Sequence, residues 1–94
     1  MMDKPLEAKI AEAARVLRAA GAREVYVFGS VVRKRSTPPR DVDLAVSGLP
    51  PEVFFEAYAD ASDALDMPLD LVDLDEENPF VRYLKDEGKL LRVE

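Results

Sequence analysis

Two aspartates, Asp41 and Asp43, flank one valine at the head of the run Asp-Val-Asp-Leu-Ala-Val. This alternation constrains the chain more than any other feature. On a strand, successive side chains point to opposite faces, so the two carboxylates share one face while Val42, Leu44 and Val46 turn to the other and into a core. Two like charges side by side repel, and a purely structural strand has no use for them. A divalent cation relieves the repulsion, since hard cations such as Mg²⁺ take one or two carboxylates together with substrate phosphates. Ten residues upstream, a β-branched and aromatic run over residues 25–28 ends at Gly29-Ser30. Such a turn offers backbone N–H groups and a hydroxyl, which suit phosphate oxygens. Glycine there allows close approach of the backbone. Ser30 can instead serve as the N-cap of a following helix, and a capped helix N-terminus is itself an anion site.

Ninety-four residues suffice for one core, so residues 1–94 are expected to form one domain. The chain has no cysteine and no histidine. Disulfides, thiolate metal sites, His-ligated zinc and the usual general base near neutral pH are therefore excluded. A metal site must be built from oxygen, which favours Mg²⁺ or Mn²⁺. No apolar run approaches the ~18 residues of a membrane span and no signal-peptide core is visible, so a cytoplasmic location without membrane contact is expected. The net charge of −6 argues against general nucleic-acid binding. Residues 31–40 nevertheless carry Arg33, Lys34, Arg35 and Arg40 and no acid; subtracting these four positive charges from −6 leaves −10 on the rest. This basic island lies between the Gly-Ser turn and the aspartate pair, where it can meet a triphosphate or an acidic partner.

The spacing of Leu6, Ile10, Ala13 and Leu17 predicts an amphipathic helix over residues 5–20, stopped by Gly21. Strands are predicted over 24–28 and 41–46, with a short helix over 30–35 and a Pro-Pro loop between them. A second helix over 52–65 places Phe54, Tyr58, Ala61 and Leu65 on one face. A third strand follows over 69–74. Asn78-Pro79 reads as an N-cap and first helical residue, opening a helix to about residue 87. Phe80, Tyr83 and Leu84 are expected on its buried side, and a last strand over 90–93. The fold class is α/β (α+β), a small mixed sheet with helices packed on it as one pair of layers. The aromatic residues Phe54, Phe55, Tyr58, Phe80 and Tyr83 are assigned to core packing, with base stacking as the alternative for one of them.

The Gly-Ser turn, the ten-residue interval and Asp-x-Asp resemble the nucleotidyltransferase superfamily of DNA polymerase beta, most closely its minimal nucleotidyltransferase (MNT) group. The likeness extends to Leu69-Asp70-Leu71-Val72-Asp73-Leu74, where the family carries a third carboxylate on a strand. It also covers residues 80–93, a short helix, Glu87-Gly88 and an apolar strand. The resemblance implies the palm-like nucleotidyltransferase fold. It implies Asp41, Asp43 and Asp70 as catalytic residues and ligands of one or two Mg²⁺ ions, and Gly29, Ser30 and Arg33 as the nucleotide-binding residues. Asp73 competes with Asp70 for the third position, and the two lie on opposite faces of their strand. Lys34 and Arg40 depart from the small residues that relatives carry there.

The implied activity is transfer of AMP from ATP to an acceptor hydroxyl. The acceptor is expected on a partner, because members of the MNT group are often antitoxins of helical HEPN proteins. The alternative is a non-catalytic antitoxin that masks a HEPN partner.

Overall fold

The computed structural model describes residues 5–29, 41–87 and 90–93. The predicted helix over residues 30–35 lies outside them. The first helix, α1 (Leu6–Ala20), buries Ile10, Ala13, Ala14 and Leu17 along one stripe. Its end is set by Gly21, whose φ of 126° is open to glycine. The Gly21 N–H donates to the Arg18 carbonyl at 3.0 Å and the Ala22 N–H to that of Leu17 at 3.1 Å, a Schellman closure. The chain then enters β1 (Glu24–Phe28). Strand β2 (Val42–Ser47) lies antiparallel to β1, with Glu24 opposite Ser47 and Phe28 opposite Asp43. A 3₁₀ turn (Pro51–Val53) leads into α2 (Phe54–Leu65). Strand β3 (Leu69–Asp73) returns parallel to β2 through that crossover helix. Helix α3 (Pro79–Asp86) and the short β4 (Leu91–Arg92) complete the order. The sheet runs β3-β2-β1-β4, with β4 antiparallel to β1.

The period-two alternation of the strands sorts two cores onto the two faces of this sheet. On one face Val25, Val27, Val42, Leu44, Val46, Leu69 and Leu71 pack against Leu17 of α1 and Ala57, Ala61 and Leu65 of α2. Full burial of each such Val or Leu contributes about 1.5–3 kcal/mol, which makes this layer the main source of stability. The Tyr58 hydroxyl donates to the Leu69 carbonyl at 2.6 Å and ties α2 to β3. On the opposite face Phe28 and Ala45 pack with Leu74 and with Val81 and Leu84 of α3.

Helices thus cover both faces, and the expected single pair of layers is corrected to three. The second core escaped the sequence reading because its strand residues are few: Ala45 is small, and Phe28 stands at the end of its strand. Helix α3 starts as predicted, with Asn78 Oδ1 accepting from the Val81 N–H at 2.9 Å and Pro79 at the first position. Its buried residues are Val81 and Leu84, whereas Phe80 and Tyr83 are 50% and 53% exposed. On α2, Phe55 is 82% exposed and rests edge-on against Phe54. Core packing therefore fails for Phe55, Phe80 and Tyr83. Helical spacing selects a face but cannot tell whether the sheet beneath is wide enough to cover it.

Candidate active site

The site is built where β1 ends, β2 begins and β3 begins. Asp41 stands just before β2 and is exposed; Asp43 is the second residue of that strand and half-buried. The parallel register sets Asp43 directly beside Asp70. On the other side Asp43 faces Phe28. A row Phe28–Asp43–Asp70 therefore crosses three strands on one face, with adjacent strands about 4.8 Å apart. The expected β2 began at Asp41, but the strand begins at Val42.

The crossing of this row forces Asp43 into an unfavourable setting. Its carboxyl is pushed above its ordinary value of 3.8, first by burial, then by the negative charges of Asp70 and Asp41. A hydrogen bond with Asp70 that favours the protonated form acts in the same direction. Burial opposes the charged form and neighbouring carboxylates oppose a further charge. Gly29 closes the site from the β1 side. Its φ is 77°, and a Cβ there would lie closer than 3.0 Å to Asp43 Oδ2. The backbone of Gly29 thus lies against the carboxylate, and no other residue type fits without displacing one or the other.

Asp73 is placed elsewhere. It pairs with Val46 on the opposite face of the sheet, and its Oδ1 accepts from the Asp75 N–H at 2.9 Å. Asp75 Oδ2 in turn accepts from the Gly48 N–H at 2.7 Å. This pair of turns fastens the end of β3 to the end of β2. Glu24, at the far end of the sheet from Asp43, is also engaged in structure. It accepts from Ser47 Oγ at 3.0 Å and Tyr26 Oη at 3.1 Å, and Arg92 approaches at 3.3 Å. These partners hold its carboxyl below the ordinary value, the hydroxyl of Ser47 most strongly. Ser30 and Arg33 lie outside the described residues.

The donor set at Asp43 and Asp70 consists of carboxylate oxygens, as Mg²⁺ requires. Their mutual repulsion is the condition that a divalent cation relieves. Among the described residues no three acidic side chains form a ready-made metal cluster. The fit is therefore to a cation held by a carboxylate pair, with its other positions open to water or phosphate. One surface groove, of about 370 Å³, is lined by Val16, Ala20, Val53 and Glu56 on the helical side. The carboxylates stand on the sheet face beside the end of β1.

Comparison with known families bears directly on this arrangement. The family described as "Polymerase beta, Nucleotidyltransferase" matches residues 11–93. The chain belongs to this family. It is a nucleotidyltransferase domain, and the Asp43–Asp70 pair lies within the matched region.

Among solved structures, this nucleotidyltransferase domain is similar to a toxin-antitoxin crystal structure with AMP-PNP, at 26% identity and a TM-score of 0.67. The match covers 92% of this chain and 70% of the other. It is also similar to a complex of tri-AMPylated Shewanella oneidensis HEPN toxin with MNT antitoxin, at 22% identity and a TM-score of 0.67, covering 94% and 71%. A provisionally named minimal nucleotidyltransferase matches at 23% identity and a TM-score of 0.68, over 100% of this chain and 99% of its own. The last two likenesses, at this identity, are of fold. No curated protein matches the sequence. Among the described residues no helix is long and apolar enough to cross a membrane.

The residue that sequence reasoning missed at the site is Phe28, treated there only as part of a strand. Its position one residue before the Gly-Ser turn was a usable signal. On an antiparallel pair, the last residue of β1 must face an early residue of β2.

Proposed function

We propose that this domain is a Mg²⁺-dependent adenylyltransferase that moves AMP from ATP to a hydroxyl on a HEPN partner, as an MNT-type antitoxin. The observation that carries the reading is the juxtaposition of Asp43 and Asp70 across β2 and β3, with Asp41 beside them. A triphosphate brings several negative charges to a site that is already acidic, which makes sense only with a cation between them. When bound, Mg²⁺ would neutralise phosphate charge and polarise the reacting phosphorus.

Within this reading Asp43 and Asp70 hold the cation as a pair, and Asp41 adds its negative charge from just before β2. Asp70, the more exposed of the paired carboxylates, is also free to receive the acceptor's proton. The acceptor oxygen bonds to the α-phosphorus as the bond from that phosphorus to the β-phosphate oxygen breaks. Pyrophosphate leaves with the bonding electrons. The Gly29 backbone, with Ser30 and Arg33, takes the triphosphate tail. Catalysis is then positioning and charge stabilisation rather than covalent chemistry on the protein. The similarity to a tri-AMPylated HEPN toxin complex supports the partner and the group transferred, and the AMP-PNP structure supports ATP as donor.

A second reading, inhibition by masking alone, draws on the exposed apolar side chains of Phe55, Tyr83 and Leu91, which a protein partner would cover. One experiment separates the two. The purified domain is incubated with Mg²⁺, α-labelled ATP and a HEPN protein from the same source, and label on protein is measured. Labelling that is lost in Asp43→Asn and Asp70→Asn but kept in Asp73→Asn is expected. An unlabelled partner that is nevertheless silenced by both the wild type and the Asp43→Asn variant would establish masking.

A further inference from the structure

The row that carries Asp43 continues into an aromatic pair. Phe28 faces Asp43 across β1 and β2 and is nearly buried beneath α3. Phe80, in the first turn of α3, meets Phe28 with ring centroids 6.1 Å apart and planes inclined by 60°. One ring is thus anchored edge-on in the core beside the carboxylates, while its partner remains half exposed. The first turn of α3 is itself held in place by the Asn78 cap and by Pro79. An aromatic ring so fixed loses little conformational freedom on meeting a ligand.

We infer that Phe80 is the platform on which the base of the bound nucleotide stacks. The inference rests on the nucleotidyltransferase reading and adds to it a base subsite. The triphosphate lies at the carboxylates, and the base must lie to one side of them at the reach of the ribose. Phe80 is a single residue removed from Asp43, through Phe28. Stacking uses the π-face that every base possesses, so it selects for a nucleoside triphosphate over a bare polyphosphate and for larger bases over smaller ones. Two other exposed aromatics lack these conditions. Tyr83 borders a groove lined by Glu77, Arg82 and Asp86 and makes no ring contact with Phe28, and Phe55 belongs to α2 on the opposite layer.

The test is calorimetric titration of the full chain, in Mg²⁺, with ATP and separately with inorganic tripolyphosphate. Phe80→Ala is expected to weaken ATP roughly tenfold to a hundredfold and to leave tripolyphosphate unchanged. Phe55→Ala, which removes an equally large ring from the other layer, is expected to change neither. The chain contains no tryptophan, so Phe80→Trp supplies a single reporter. It should retain ATP affinity, with indole fluorescence quenched by ATP and not by tripolyphosphate. Unaltered ATP affinity in Phe80→Ala, or equal loss for both ligands, overturns the stacking site while leaving the nucleotidyltransferase reading intact. A wild-type chain that binds neither ligand overturns that reading and the base subsite with it.

Discussion

Replacing Asp43 by asparagine is expected to make the domain more stable and less capable at once. Asp43 is half-buried next to Asp70 and near Asp41; burial raises its pKa most, and both neighbouring charges raise it further. Two unit charges one strand spacing apart, about 4.8 Å, repel by roughly 0.9 kcal/mol in water and about 3.5 kcal/mol at an effective dielectric constant of 20. Asp70 is exposed, so the screened end of that range applies, on the order of 1 kcal/mol. Asparagine removes this repulsion and can donate to Asp70, as protonated Asp43 does. For a domain of this size 1 kcal/mol corresponds to a rise in Tm of about 4–8 °C.

The pH dependence has a definite sign. A carboxyl whose folded-state pKa is raised binds its proton more tightly when folded, so stability falls as pH rises from its unfolded value through the raised one. The Tm difference between Asp43→Asn and wild type should therefore be near zero in acid below the ordinary 3.8, grow as pH rises, and level off above the raised value. Thermal melts in a chelator across this range provide the assay. Added Mg²⁺ should stabilise the wild type by binding the native state and do less for the variant, narrowing the difference. A variant that melts below wild type in chelator near neutral pH would refute the reasoning, since it would mean that Asp43 holds the fold rather than the ligand.

Two further substitutions probe the frame around this carboxylate. Gly29→Ala is expected to cost about 1–3 kcal/mol, from the left-handed backbone alone, and to weaken ATP binding by displacing Asp43; a urea melt and a titration identical to wild type would disprove it. Asn78→Ala removes the cap on the Val81 N–H and should lower the urea midpoint by the equivalent of about 1 kcal/mol without altering the slope of the transition.

What the sequence determined by itself is what depends on near neighbours along the chain. Period-two alternation made Val42, Leu44 and Val46 a core face and set Asp43 on the other. Asn78-Pro79 opened a helix because an amide acceptor and a missing N–H satisfy the first turn locally. The absence of histidine and cysteine left oxygen as the ligand chemistry. The tertiary structure decided what depends on register and on coverage. Alternation already put Asp70 and Asp73 on opposite faces of their strand, and the parallel pairing of Val42 with Leu69 decided that Asp70 is the one that stands beside Asp43. Helical spacing grouped Phe80 and Tyr83 with Leu84, yet burial went to Val81 and Leu84, which pack against Phe28, Ala45 and Leu74. Phe28 gained its place beside the carboxylates from the antiparallel register of β1 and β2. Local sequence fixes which way a side chain points within its own element. The partner it meets is set by packing between distant segments, which no stretch of the chain encodes alone.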